Sequence, residues 1–244
     1  MKYQTCLLFI LIAVLISNGC KKPGCIGSAG SIITQERLLP SFNKLRLQDN
    51  IDLVLIKSDI EKVEISGPQN IIANVQTSVK EDELTVSNQT DCRWLRDPDE
   101  KITARLFLKN ISNFEYEGSG NVSNADTLKL ESLWINSETG AGNLELTIDM
   151  PSIGAIILKE NASIKIHGKA ENCATYTNAR GLLDLSDLQT KKMYMIYSGL
   201  ADTHIKVSEE LDATIRYRGN VYCKGNPVVK RSDYFSSGRL ILQP

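Results

Sequence analysis

The chain has 244 residues, of which 42% are hydrophobic and 23% are charged, and its formal net charge at pH 7 is −1. This composition is that of a globular protein and excludes a disordered or collagen-like chain. Because no basic face is concentrated in the sequence, we expect no nucleic-acid partner. The length allows one large all-β domain or two smaller domains.

The N-terminus has the features of an export signal followed by a lipid-attachment site. The apolar run from Cys6 to Ile16 is too short to span a bilayer and suits a signal peptide. The residues Ser17-Asn18-Gly19-Cys20 resemble a bacterial lipobox, in which the cysteine becomes the acylated N-terminus. We predict a lipoprotein signal peptide over residues 1–19, lipidation at Cys20 and a tether over residues 20–30. The alternative is an ordinary secretory signal with Cys20 as a free or paired thiol.

Four cysteines remain if Cys6 leaves with the signal peptide and Cys20 carries lipid, namely Cys25, Cys92, Cys173 and Cys223. In an oxidising compartment these four allow three pairings. Cys25 lies just before the first predicted strand and Cys92 lies in the longest irregular loop, so a Cys25–Cys92 disulfide would join the tether to that loop. We interpret Cys223, and Cys173 with it, as small core residues.

Residues 31–110 are predicted to form strands without a regular period. Alternating apolar residues indicate strands near residues 44–47, 50–56, 62–65 and 101–108. A hairpin is predicted about Glu81-Asp82, and a helical turn over residues 70–73.

A short strand pattern recurs from residue 111 to residue 244. Each copy begins with a small corner residue, followed two and four places later by apolar side chains with a polar one between them. The corner residues are Gly120, Gly142, Ala162, Gly181, Ala201, Gly219 and Gly238. The second places hold Val122, Leu144, Ile164, Leu183, Thr203, Val221 and Leu240, and the fourth places hold Asn124, Leu146, Ile166, Leu185, Ile205, Cys223 and Leu242.

This alternation predicts strands with one buried face, and their recurrence every 18 to 22 residues indicates a repeat architecture. One such strand cannot bury its own apolar face, so successive units must stack about 4.8 Å apart with equivalent side chains in interior ladders. We therefore predict an all-β solenoid, and we expect corner glycines to allow tight bends with positive φ. An antiparallel sandwich is the alternative.

Several segments carry a resemblance to a known family. Arg37-Leu38-Leu39-Pro40-Ser41-Phe42 leads into Asp49-Asn50-Ile51-Asp52-Leu53-Val54-Leu55, and the corner Gly118-Ser119-Gly120 follows later. With the lipobox, this pattern resembles the putative autotransporter adhesin, head GIN domain family, which is common among Bacteroidetes lipoproteins. The resemblance covers residues 31–244 and implies a right-handed parallel β-helix in a single domain, with irregular strands over 31–110 and regular coils over 111–244. It brings no defined catalytic residues.

The sequence offers little convergent chemistry. No cofactor fingerprint or metal-ligand spacing is present, and His167 and His204 lie in different repeats, so we predict no catalytic, cofactor-binding or metal residues and interpret both histidines as exposed. The polar place between the apolar ones still supplies one candidate catalytic set, Glu145, Lys165, Asp184 and His204. A solvated outer face of alternating charge is the alternative interpretation of that set.

Asp126-Thr127-Leu128 matches the short acceptor pattern that exported Bacteroidetes proteins use for O-glycosylation, which makes Thr127 a candidate site.

The sequence favours a lipid-anchored, non-enzymatic protein of the cell envelope that presents a β-helix face to a glycan or a protein. Its expected location is the outer membrane, at the periplasmic face or on the cell surface, with the membrane as a partner through the N-terminal lipid. Self-association is expected where solenoid ends expose unpaired backbone. The alternatives are a β-helical polysaccharide-active enzyme and a structural or sensing component of the periplasm.

Overall fold

The structure is a computed structural model and describes residues 29–90, 101–158, 161–178 and 180–243. It is a β-solenoid, which confirms the predicted fold class. In the described residues the strands are β1 (Ile32–Leu38), β2 (Lys44–Leu47), β3 (Asp52–Lys57), β4 (Lys62–Pro68), β5 (Val75–Lys80), β6 (Glu83–Asn88), β7 (Thr103–Leu108), β8 (Asn113–Tyr116), β9 (Val122–Asn124), β10 (Ser132–Ser137), β11 (Asn143–Leu158), β12 (Ser163–Asn178), β13 (Leu183–Tyr197), β14 (Thr203–Ile215), β15 (Val221–Lys224), β16 (Val228–Tyr234) and β17 (Leu240–Gln243). One helical turn, α1 (Gln69–Ile72), lies between β4 and β5. Among the described residues, no helix has the length and apolar character needed to cross a bilayer.

Two long parallel ladders run along the solenoid. Face A contains, in spatial order, β6, β2, β8, β10, the second halves of β11 to β14, and β16. Face B contains β7, β3, β9, the first halves of β11 to β14, β15 and β17. Each of the long strands therefore bends from face B onto face A within a single coil.

The interior of face B is the predicted ladder of equivalent apolar residues. Leu144 is in register with Val122 on one side and Ile164 on the other, and Ile164 is in register with Leu183. All four side chains are at most 3% exposed. Because adjacent strands run parallel and the equivalent residues stack, an antiparallel sandwich is excluded.

The two polar exceptions in the ladder satisfy their own hydrogen bonds. The Thr203 hydroxyl donates to the Leu183 carbonyl at 2.5 Å, one coil away. The Asn124 amide donates to the Thr147 carbonyl at 2.8 Å and accepts from the Thr147 N–H at 2.9 Å. Thr203 is buried and Asn124 is half-buried, and a polar group left there without a partner would destabilise the fold. These bonds therefore explain why both residues are tolerated.

The corner glycines are needed for close approach, and the expected positive φ is wrong for them. Among the described glycines only Gly30, Gly168 and Gly225 have positive φ. A Cβ on Gly120 would lie 2.1 Å from the Ile51 carbonyl oxygen of the neighbouring coil. At this corner, stacked backbones meet too closely for any side chain to fit between them.

Parallel coils also form within residues 31–110, where sequence periodicity indicated only irregular strands. The segment β2–β3 lies between the coil made by β6–β7 and the coil made by β8–β9. Leu53 is in register with Ala104 on one side and Val122 on the other, so the interior ladder continues through it. The spatial order of these first three coils therefore differs from their order in the chain.

Antiparallel strands close the outermost coil. On face A, β5 pairs with β6 through the predicted hairpin, whose Glu81 and Asp82 have φ of 48° and 67°. On face B, β4 pairs antiparallel with β7 and β1 pairs antiparallel with β4. Arg37 links β1 on face B to β5 on face A, since its guanidinium donates to the carbonyl of Val75 on β5 at 2.7 Å. We call β1, β4, β5 and α1 the cap.

Candidate functional site

The candidate catalytic set does form one column on the outside of face B. Glu145 is in register with Lys165, Lys165 with Asp184, and Asp184 with His204. The Glu145 side chain is 61% exposed, so solvent screens its interaction with neighbouring charges. His204 stacks on Tyr222 of the next coil, with ring centroids 5.1 Å apart.

His167 lies beside this column and links two acidic residues. Its Nε2 is 2.8 Å from a Glu145 oxygen and its Nδ1 is 3.3 Å from an Asp187 oxygen. The imidazole is thus held between carboxylates rather than presented with a free nitrogen. In the described part of the chain, no group of three His, Cys, Asp or Glu residues has a geometry that could hold a metal ion.

The electrostatics of Asp184 favour a carboxylate over a proton donor. Partial burial is the largest single influence and raises its pKa, whereas hydrogen bonds from Ser186 lower it. The charges of Lys165 and His204 lower the pKa further, so it lies below its ordinary value. A general acid requires the opposite shift. The column therefore has the character of a charged, solvated face.

A groove of about 510 Å³ lies where the coils bend from face B towards face A. Its rim carries a column of polar residues from four successive coils, Asp149, Lys169, Gln189 and Lys206. Buried Met150, Ala170 and Val207 form part of its lining. Gly168 and Gly225 lie at the bend with positive φ. Only glycine fits there, because a Cβ would lie 2.0 Å (Gly168) or 2.2 Å (Gly225) from a carbonyl oxygen of the preceding coil.

The outside of face A is charged near the cap. Arg46 on β2 contacts Glu83 of the coil on one side at 2.8 Å and Glu117 on the other side. These carboxylates raise the pKa of the guanidinium, although burial opposes the shift. The ion pairs tie three coils together across the face.

Further along face A the outward residues become aromatic and small. Trp134 is in register with Gly154, Gly154 with Ala174, and Ala174 with Tyr194. The Trp134 and Tyr194 side chains remain 38% and 44% exposed. We call these four residues, with Tyr176 and Ile196 of the adjacent row, the aromatic shelf.

A shallow depression of about 320 Å³ borders the aromatic shelf. Ala174 and Tyr194 of the shelf line it, together with polar residues that include Asn172, Lys192 and Asp212. Lys192 pairs with Glu210 at 3.3 Å, and Arg231 pairs with Asp212 at 3.1 Å. The border therefore presents hydrogen-bond donors and acceptors whose charges largely compensate one another.

Some of the remaining predicted site residues lie outside the described part of the chain, and the others lie within it. Cys20, Cys25 and Cys92 lie outside the described residues, so lipidation and the Cys25–Cys92 disulfide stay predictions. Thr127 is exposed between β9 and β10, as an acceptor of a sugar must be. Cys173 and Cys223 are buried free thiols, and burial raises the pKa of Cys173 to about 12, which leaves it unreactive at neutral pH.

A family model described as "Putative auto-transporter adhesin, head GIN domain" matches residues 41–227. The chain belongs to this family. The matched range begins at the first coil strands and extends to the last turns of the solenoid, so the resemblance noted from the sequence is confirmed.

Solved structures of two other bacterial proteins share this architecture. A putative adhesin from Bacteroides fragilis is 20% identical, with a TM-score of 0.77 over 87% of this chain and 97% of that one. A putative lipid binding protein from Parabacteroides distasonis is 16% identical, with a TM-score of 0.68 over 88% of this chain and 98% of that one. At these identities the likeness shows that the head GIN domain fold is shared. No curated protein matches the chain.

The repeat pattern of the sequence does not predict the aromatic shelf. Trp134 lies on β10, and the register of the coils shows that it points outward above Gly154. Gly154 stands twenty places after Trp134. One repeat length therefore separates an exposed indole from a glycine, which is the signal that could have identified the shelf.

Proposed function

We propose that this head GIN domain protein is a lipid-anchored, non-enzymatic binding module of the cell envelope. The observation that carries the proposal is the outer surface of the solenoid, where polar and aromatic side chains of successive coils stand in register over two long faces. Such a surface suits recognition of an extended partner, because equivalent contacts repeat along it. Family membership and the adhesin description of the family support the same function.

The charged column supports binding over catalysis. Glu145 and Asp184 stand two coils apart with Lys165 between them, and the pKa of Asp184 is lowered. A carboxylate pair acting on a glycosidic bond needs one member with a raised pKa as the acid. A polysaccharide-cleaving activity that is lost in both Glu145→Gln and Asp184→Asn would contradict the non-enzymatic part of the proposal.

The position of the chain entry determines where a lipid-anchored tether would join the solenoid. Gly30 lies against Gln69 and Asn70 of α1, so the chain enters the solenoid at the cap. The predicted tether of residues 20–30 can extend by at most ~40 Å. With lipid on Cys20, the tether would hold the cap within ~40 Å of the membrane.

Lipid anchoring is tested with the full chain expressed in a Bacteroides host. We expect the unaltered chain to incorporate radiolabelled palmitate and to fractionate with the outer membrane, whereas Cys20→Ala does neither. Cys173→Ala is the matched control, since its thiol is buried, and it should behave as the unaltered chain. Membrane retention and labelling of the Cys20→Ala chain would contradict the anchor.

The binding function is tested with the same cells. Protease added to intact cells should remove the protein if it lies on the surface and spare it if it faces the periplasm. In the first case, we expect expressing cells to adhere to host mucus or to other bacteria more than cells without the protein. In the second case, we expect the purified chain to bind isolated envelope material. A purified chain that binds neither surface glycans nor envelope fractions would contradict the proposal.

A further inference from the structure

The strongest unexplained surface is the aromatic shelf on face A. Four successive coils supply outward residues in strict register, ordered Trp134, Gly154, Ala174 and Tyr194. Trp134 and Tyr194 are three coil spacings apart, roughly 14 Å at about 4.8 Å per spacing. Gly154 leaves room for the indole to lie over its backbone, and Ala174 is the small, half-buried residue that remains between the two rings.

Trp134 lies flat against the sheet. A Cβ built on Gly154 would lie 1.7 Å from Cε3 and 1.9 Å from Cζ3 of the indole, so the six-membered ring covers the Gly154 backbone. Gly154 is buried, although it occupies an outward place in its strand. With one face against the backbone and the side chain 38% exposed, the indole presents its other face to solvent.

A flat, exposed aromatic face selects a particular type of partner. The face of the ring is the negative part of its quadrupole and attracts weakly positive C–H groups. A pyranose ring carries such C–H groups on one side and hydroxyls around its rim. The depression beside the shelf offers amide, ammonium and carboxylate groups to those hydroxyls, through Asn172, Lys192 and Asp212.

The charge of the border favours a neutral ligand. Lys192 pairs with Glu210, and Arg231 lies between Asp212 and Asp233 at 3.1 and 3.6 Å. With Lys230, three cations face three carboxylates, so the border has no net charge to attract a polyanion. An amphipathic helix would leave these paired charges desolvated against its apolar face, which is costly.

We propose that the aromatic shelf binds a neutral oligosaccharide chain, with sugar rings stacked on Trp134 and Tyr194 and their hydroxyls bonded to Asn172, Lys192 and Asp212. The coil spacing is close to the length that one β-linked hexose adds to a chain, so successive sugars fall over successive coils. This assignment rests on the proposed binding function and names its ligand class and surface.

The test uses the fluorescence of Trp134 in the full chain. The sequence contains two tryptophans, Trp94 and Trp134, so Trp94→Phe leaves Trp134 as the single reporter. This chain, purified in detergent, is titrated with cellohexaose, chitohexaose, mannohexaose and the acidic hexagalacturonate. We expect at least one neutral hexamer, and not the acidic one, to shift the Trp134 emission in a saturable way.

Variants then assign the binding to the shelf, measured by calorimetry with the hexamer that binds. We expect Trp134→Ala and Tyr194→Ala each to weaken affinity by about tenfold or more, as loss of a central aromatic contact does. Gly154→Ala keeps both rings but pushes the indole off the backbone, and it should weaken binding as well.

Tyr217→Ala is the matched control, because Tyr217 is 42% exposed and lies outside the shelf. Thermal unfolding of each variant separates lost binding from lost folding, and Trp134→Phe should retain part of the affinity if Trp134→Ala does not fold.

Three results would overturn the assignment. The first is that no neutral hexamer shifts the emission, and the second is that only hexagalacturonate shifts it. The third is that folded Trp134→Ala and Tyr194→Ala chains keep full affinity. Binding of the chain to intact cells separates this failure from failure of the proposed function. Cell binding that Trp134→Ala abolishes but periodate oxidation of the cell glycans leaves intact would assign the shelf to a protein partner. Cell binding that all shelf variants retain would leave the envelope function standing and remove the shelf from it.

Discussion

The two ends of the solenoid are built differently. At the cap, antiparallel strands β5 and β4 cover β6 and β7, and Arg37 fastens β1 to the β5 strand beside it. At the opposite end, among the described residues, β16 pairs in parallel only with β14, and β17 pairs in parallel only with β15. Exposed Phe235 and Leu242 lie there, at 71% and 49% exposure. Edge strands remain at both ends, since in the described part of the chain β1 pairs only with β4 and β5 only with β6. The reversed strands of the cap prevent a further parallel coil from stacking there, whereas β16 and β17 leave an edge that a parallel strand can extend.

The largest difference should appear in the interior ladder, between a coil near the cap that is covered on both sides and the last coil, which is covered on one side. Leu53 is fully buried between Ala104 and Val122, whereas Leu240 is half-buried on the last coil. We expect Leu53→Ala to lower the free energy of unfolding by about 3 kcal/mol, because it leaves a cavity that flanking coils prevent from collapsing. Leu240→Ala should lower the free energy of unfolding by less than about 1 kcal/mol, since the Leu240 side chain buries little apolar surface on folding. Urea denaturation measures both, and equal losses would contradict the difference in packing.

A smaller effect is expected at two tyrosines, one near each end. The buried hydroxyl of Tyr116 donates to the Gly120 carbonyl at 2.6 Å, and that of Tyr197 donates to the Ala201 carbonyl. Burial raises the pKa of each to about 12. We expect Tyr116→Phe and Tyr197→Phe each to cost about 1 kcal/mol, because a buried carbonyl loses its donor.

The tyrosine pKa values also predict a dependence of stability on pH. An unfolded tyrosine ionises near pH 10, whereas the folded ones hold their protons until about pH 12. The folded state therefore binds more protons in this window, so the unfolding free energy should fall as pH rises from 10 to 12. The fall should be smaller in each phenylalanine variant. A fall of the same size in both variants would show that other groups cause it.

The smallest effect concerns association through the open end. We expect weak, concentration-dependent self-association of the chain, which Leu242→Lys reduces by adding charge to an exposed edge strand. Ile32→Lys is the matched control on β1 of the cap, where the side chain is 77% exposed. Sedimentation velocity measures both. Equal reduction by the two changes would remove the distinction between the ends.

Sequence periodicity predicted the regular coils but not the order of the first three. In the later coils, equivalent residues such as Leu144 and Ile164 are one repeat apart, so the period is visible. Leu53 instead stacks on Ala104 and Val122, which are 51 and 69 places further along the chain. No short period connects these residues, and the intervening cap contributes no repeat of its own. Local alternation could therefore identify the strands of this region but not which coil each one contacts.

The candidate site shows the same limit. The charged column was predicted correctly as a set of stacked residues because all its members follow the corner by three places. Trp134 belongs to face A, where β8 and β10 are short and the corner pattern does not extend. Its flat position depends on the absence of a Cβ at Gly154, which is a property of two coils together.

The interleaved order of the coils is the central structural claim, and disulfide trapping tests it most directly. Val54 on β3 is in register with Arg105 on β7 and with Ser123 on β9, so β3 separates the other two strands. Adjacent coils place Cα atoms within the 4.4–6.8 Å that a disulfide spans, whereas coils two spacings apart do not. The account predicts that Val54→Cys with Ser123→Cys forms a cross-linked peptide detectable by mass spectrometry, and that Arg105→Cys with Ser123→Cys does not. Efficient cross-linking of the second pair and not the first would contradict it.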